Sequence, residues 1–181
     1  MAEWSRVARR IRVPLGFAFA VVYLWIAHPT WASIGIGLVI ALPGLLLRAL
    51  ASGYVKKNEE LTTSGPYAYT RNPLYLGSLV IAVGFAAAAR SVWVLVLTVV
   101  MLLVIYLPVI RSEESFLRKT FPTFEEYTLR VPRLLPRLRP FASGKATFSI
   151  RLYWQHREYN AILGTAAVMA GLVAKRMSGL H

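Results

Sequence analysis

Cysteine is absent from all 181 residues, so disulfides, thiolate catalysis and cysteine metal sites are excluded at the outset. Histidine is scarce as well. His28, His156 and His181 are scattered with no HxxxH or HxxE spacing, so no metal is expected. Aspartate is missing too, and all eight acidic residues are glutamate. Charged residues make up only 16% of the chain against 56% hydrophobic ones, far from an ordinary soluble composition, and this reads as a membrane protein with the lipid bilayer as its partner. The net charge of +13 is carried by basic residues that flank long apolar runs instead of forming a stripe with interleaved aromatics, so nucleic acid is not an expected partner. By length the chain is a single domain, 1–181.

A bilayer core accommodates about 20 apolar residues as helix, with about 17 as the lower bound. Five runs approach this, residues 13–27, 31–47, 74–89, 92–110 and 161–174. They predict an all-α, multi-pass integral membrane helical bundle of about five transmembrane helices. The first run follows a basic segment as a signal peptide would, but no small-x-small cleavage site precedes the next run, so a retained first span is expected. The last run is short and carries Gly164, Ala167 and Gly171 on one face, a pattern suited to close packing in lipid. His28 to Thr30 separate the first two runs, and only Arg90 and Ser91 separate the third and fourth, which predicts two antiparallel helical hairpins. If every run crosses, all but Arg90, Lys175 and Arg176 of the 21 basic residues fall on one side. That asymmetry predicts a cytoplasmic N-terminus in a plasma or inner membrane. No Asp, Glu, Lys or Arg lies within the runs, which argues against a channel or a proton-coupled transporter.

Polar chemistry is confined to the segments between the runs. Two of them, residues 59–75 and 111–136, adjoin the same end of the third and fourth runs and would meet in space. In the first, Ser64, Gly65 and Pro66 give turn chemistry, Asn72 fits a helix N-cap and Pro73 the first helical position. Free amides at such a helix start favour a carboxylate or phosphate, although a well-capped transmembrane helix needs nothing more. Tyr67, Tyr69 and Tyr75 suit an interfacial aromatic belt, and equally a site where a sulfonium cation meets an aromatic face. Arg71 reads as a positive-inside anchor. Glu113 and Glu114 follow the fourth run at a depth where a carboxylate is costly unless solvated or paired. Turned inward, one of them would accept hydrogen bonds from a ribose diol and offset a positive charge; the alternative is an ion pair with Arg71, Arg111 or Arg118.

Taken together, TSGPYAYTRNPLYLG, a helical hairpin, EESFL and FPTFEEYTLRVPRLLP resemble the isoprenylcysteine carboxyl methyltransferase family and its relatives among the phospholipid methyltransferases, over roughly residues 52–140. The order of these pieces at compatible spacing carries the resemblance. It implies an S-adenosylmethionine pocket on the cytoplasmic side of a helical membrane domain, partly closed by the connecting segment and open toward lipid. Residues 52–140 would form the cofactor-binding region, 1–51 an N-terminal helical hairpin, and 141–181 a tail with the last helix. Cofactor contacts carried over by position fall on Glu60, Leu61, Thr62, Tyr67, Asn72, Pro73, Leu74, Tyr75 and Glu113. Asn72 stands where many relatives have histidine, Pro122 where they have glycine, and Val109 where the eukaryotic enzymes have an arginine. Arg111 is the nearby candidate for a substrate contact, on a different helix face. The implied reaction is methyl transfer to a lipophilic small-molecule acceptor, a carboxylate or an amine; for an amine, Tyr75 and Glu114 are the candidate catalytic helpers. Two other readings are a nicotinamide-dependent reductase of a related membrane fold and a non-catalytic scaffold whose arginines bind anionic lipid.

Overall fold

Where no water reaches, a chain must satisfy its backbone groups internally, and the apolar runs do so as helices. A computed structural model describes residues 16, 18–56, 59–141 and 147–179. The N-terminal arginines and the start of the first apolar run, on which the expected N-terminal orientation rests, lie outside the described residues. In chain order the helices are α1 (residues 18–26), α2 (Trp31–Tyr54), α3 (Pro73–Ala89), α4 (Val92–Thr120), α5 (Phe124–Arg130), α6 (Ile150–Gln155) and α7 (Tyr159–Met177), with a 3-10 turn at Gly65–Ala68. No strand occurs among the described residues.

Local chemistry sets these boundaries. Thr30 and Ser33 form a reciprocal capping box at the start of α2, and Ser33 also donates to the carbonyl of Ala88 at the end of α3 (2.9 Å). Arg90 takes the left-handed conformation (φ 51°) that ends α3 and releases the chain into α4. Within α4 the missing N–H of Pro108 interrupts the regular ladder, and Leu102–Tyr106 relaxes into a π-helical segment just before it. The hairpin tips lie side by side, with His28 N donating to Ala89 O at 2.8 Å.

α2 and α3 pack backbone to backbone. A Cβ on Gly37 or Gly44 would stand 2.6 Å from the carbonyl oxygen of Gly84 or Gly77, and the reverse contacts are equally close. Each pair is seven residues apart, close to two full turns, so both glycines face the partner helix. The small-residue stripe expected to pack on the last helix does so only in part. Gly164 has nothing within 4 Å, whereas a Cβ on Gly171 would meet Leu24 at 3.0 Å.

The largest buried cluster, Tyr23, Ala27, Ile34, Ala88, Ala89, Val94, Met169 and Leu172, sits at the hairpin tips where α1, α2, α3, α4 and α7 converge. There Lys175 donates from Nζ to the carbonyls of Leu24, Trp25 and Ala27 at 2.8–2.9 Å, capping the C-terminus of α1. This accounts structurally for one basic residue that departs from the charge asymmetry. Among the described residues, α2 and α4 are long and apolar enough to cross a membrane, and α3 is apolar but shorter. Only 28% and 22% of the apolar windows of α2 and α4 are buried, which suits helices facing lipid and not the core of a soluble protein.

Candidate functional site

At the end of the bundle away from the hairpin tips, polar side chains gather where α3 begins and α4 ends. The approach to α3 is a tight turn. Gly65 has φ 57° and lies against the ring of Tyr54, which a Cβ would meet at 2.7–2.8 Å, so glycine is required there on both counts. The turn buries Tyr67, whose carbonyl accepts a hydrogen bond from the Tyr127 hydroxyl at 2.6 Å.

The segment after α5 lies along the turn as a strap. Arg71 N donates to Pro132 O (3.0 Å), Arg137 N to Tyr69 O (3.0 Å) and Phe141 N to Ala68 O (2.9 Å), while the Thr70 hydroxyl reaches the carbonyls of Arg133 and Leu134. Beneath it Phe124, Tyr127 and Val131 form a cluster with Leu61, Leu117, Phe121 and Phe141. Glu114, only 4% exposed, locks the strap to α4. Arg133 donates to its carboxylate from Nη2 at 2.7 Å and from Nε at 3.0–3.1 Å, and Arg71 Nε stands at 3.6 Å. Hydrogen bonding to Glu114 holds the Arg133 guanidinium above its usual range, whereas burial pulls that of Arg71 down against the attraction of Glu114. Of the ion-pair partners expected for Glu114, Arg71 is present, Arg118 instead pairs with Glu125, and Arg133 enters unannounced.

Asn72 occupies the N-cap position of α3 but its side chain makes no cap, a correction to the sequence reading. Its amide donates to Arg133 O at 3.0 Å and to Glu114 at 3.3 Å, so the side chain is turned toward the buried carboxylate and the strap instead of folding back over the helix start.

Glu113, one residue earlier, is turned about 100° around the helix and is exposed. It accepts a hydrogen bond from the Tyr75 hydroxyl at 3.0 Å, so the start of α3 and the end of α4 are joined through two candidate cofactor residues. The Tyr75 ring meets Tyr106 edge-on at 5.7 Å, over buried Ile105 and Val109. The π-helical segment supplies Tyr106 and Ile105. Burial is the main cause that pushes the Tyr67 phenol up, followed by Tyr127, Glu113 and Glu158, with Arg48 opposing.

Arg48 and Glu158 were not singled out by the sequence reading as site residues. Arg48, near the end of α2, donates from Nε and Nη2 to Glu158 at 2.8–3.1 Å, and from Nη1 to Leu74 O at 3.2 Å and to Ser78. The available signal was a lone charge in the last two turns of an otherwise apolar helix. The other expected residues are more dispersed. Glu60 is exposed and pairs with Lys56 at 3.2 Å, Leu61 packs in the aromatic cluster, Thr62 accepts from Lys56 N, Pro73 is buried, and Leu74 offers its carbonyl to Arg48. Arg111 is exposed. Among the described residues no three His, Asp or Glu side chains come together as a metal site would need.

The arrangement offers an accessible carboxylate fixed by a phenol, aromatic faces beside it, and an apolar wall leading toward the α3–α4 surface. Such a lining suits an organic cation next to a lipophilic molecule.

The family model for phospholipid methyltransferase matches residues 12–123. The chain is 36% identical over 143 residues to the cobalt-zinc-cadmium resistance protein CzcN of Cupriavidus metallidurans, which covers 74% of this chain and 66% of that protein. It is 37% identical over 121 residues to the nickel-cobalt-cadmium resistance protein NccN of Alcaligenes xylosoxydans xylosoxydans, covering 63% and 56%. The chain thus spans somewhat under two thirds of the length of the curated relatives it matches. No solved structure matches it.

Proposed function

The chain belongs to the phospholipid methyltransferase family, and from that premise we propose that it is a membrane-embedded enzyme transferring a methyl group from S-adenosylmethionine to the carboxylate or amine of a small lipophilic acceptor. The observation that carries this reading is the Tyr75–Glu113 hydrogen bond, which unites the start of α3 with the glutamate after the hairpin. The residues fit the cofactor: Glu113 is exposed, so its carboxylate can receive ribose hydroxyls and offset positive charge, and Tyr75 brings aromatic surface beside it. When bound, S-adenosylmethionine supplies an electrophilic methyl carbon on a sulfonium.

The chain's own residues then have positional work. Tyr75 fixes the rotamer of Glu113, and the Glu114–Arg133 clamp holds the strap so that water is kept from the turn. Ile105, Val109 and Tyr106 form the apolar side from which the acceptor aligns. A carboxylate acceptor is already ionised and needs no base, and Arg111 is the cation nearest in sequence to receive it. A bundle of five spans, with the site and the N-terminus cytoplasmic, is supported by the apolar runs and the charge asymmetry. The names of the two relatives suggest transition-metal resistance as the physiological setting.

The test is incubation of the protein in bilayers of native lipid extract with S-adenosylmethionine labelled in the methyl group. Label in the organic phase with the wild type and not with Glu113→Ala is the expected result. No label with either, alongside binding to anionic vesicles, would replace the enzyme by a lipid-binding scaffold; turnover dependent on a nicotinamide cofactor would replace it by a reductase.

A further inference from the structure

At the opposite end of the bundle, a cleft of about 450 Å³ opens between the hairpin tips, lined by Trp25, Ile26, His28, Arg90, Ser91, Val92 and Trp93. α3, which carries Tyr75 near its start and ends at Arg90, places it about 20 Å from the candidate site. Its walls are fixed by the bond from His28 N to Ala89 O, by Ser33 on Ala88 O, and by Lys175 on the carbonyls of α1. We propose that this cleft is a binding site for the phosphodiester head group of a membrane phospholipid, held by Arg90 and seated between the indoles of Trp25 and Trp93.

Two features of Arg90 run against ordinary preference, and a third leaves its charge available. It adopts φ 51°, a region disfavoured for residues with a Cβ and usually given to glycine at a helix end. It departs from the asymmetry that places cations at the other end of the spans. It is exposed with no acidic partner, since among the described residues every glutamate lies at the site end, at 59–60, 113–126 and 158. A phosphodiester would supply the missing negative charge. The rim argues for a lipid in particular: Trp25 and Trp93 are 80% and 67% exposed, and indoles at the ends of apolar helices sit at head-group depth. Val92 and Ile26 continue the cleft onto the apolar surface along which an acyl chain runs.

The experiment is native mass spectrometry of the delipidated protein in detergent, titrated with phosphatidylglycerol and with diacylglycerol of the same chains. Wild type is expected to retain one phosphatidylglycerol more tightly than Arg90→Gly by about fivefold, the effect of one interfacial cation, with Arg90→Lys intermediate and no such difference for diacylglycerol. Glycine relieves the positive φ, so thermal unfolding without lipid should show Arg90→Gly at least as stable as wild type. Equal retention by wild type and Arg90→Gly would overturn the proposal and leave Arg90 as a helix cap only. Displacement of the retained lipid by inorganic phosphate alone would overturn it in favour of a free-anion site. Neither outcome depends on methyl transfer, so this proposal and the enzymatic one stand or fall separately.

Discussion

Adjacent glutamates carry different tasks because one step along a helix turns a side chain by about 100°. Glu114 points inward and pairs with both Arg71 and Arg133; Glu113 points to the accessible side and takes the Tyr75 hydroxyl. Removing the inward carboxylate strands a guanidinium that is 12% exposed. Glu114→Ala is therefore expected to destabilise the protein by roughly 3 kcal/mol, at the low end for a broken buried pair because Arg133 remains partly solvated. Thermal unfolding in detergent measures it. Glu113→Ala, by contrast, should leave stability within about 0.5 kcal/mol of wild type. At this scale the sequence was legible for residue type and position but not for direction. The helix start at Asn72 and Pro73 follows from local rules; the turn of the Asn72 amide toward Glu114, 42 positions away, depends on a partner no local pattern contains.

Among the elements, α2 and α3 approach backbone to backbone, where glycine carbonyls would touch any added Cβ. Gly44→Leu is predicted to separate the helices at a cost of about 3 kcal/mol or more, while Gly164→Leu, with open space around it, should change stability by less than about 0.5 kcal/mol. The midpoint of thermal unfolding distinguishes the two. Lys175→Met is a second test of element docking: it removes the cap from three carbonyls of α1 and should cost about 1–2 kcal/mol by the same assay. The hairpins and their tips were readable from apolar runs broken by a few polar residues. The glycine contact was not, although Gly37, Gly44, Gly77 and Gly84 carry matching spacings of seven, because matching spacings on two helices acquire meaning only once the helices are known to face each other. The π-helical segment likewise arises from Pro108 acting on the turn before it, which the periodicity of an all-apolar run conceals.

Across the whole molecule, apolar packing and polar chemistry are separated to opposite ends. The buried cluster at the hairpin tips and the glycine contact set the helices in place; the far end is built from a turn, a strap and ion pairs that converge on α3 and α4. Composition alone revealed this division, since seven of the eight glutamates fall in the two large segments between runs or at the start of the last helix. What it left open was the convergence of the last helix on the site through Arg48 and Glu158, since the two residues are 110 positions apart. The proposed S-adenosylmethionine pocket rests on the Tyr75–Glu113 junction. Calorimetric titration of the detergent-purified protein with S-adenosylmethionine and S-adenosylhomocysteine tests it most directly, with Glu113→Ala as the comparison. The account predicts micromolar binding of both by the wild type and its loss in the variant with the fold intact; no binding by the wild type, or equal binding by Glu113→Ala, would contradict it.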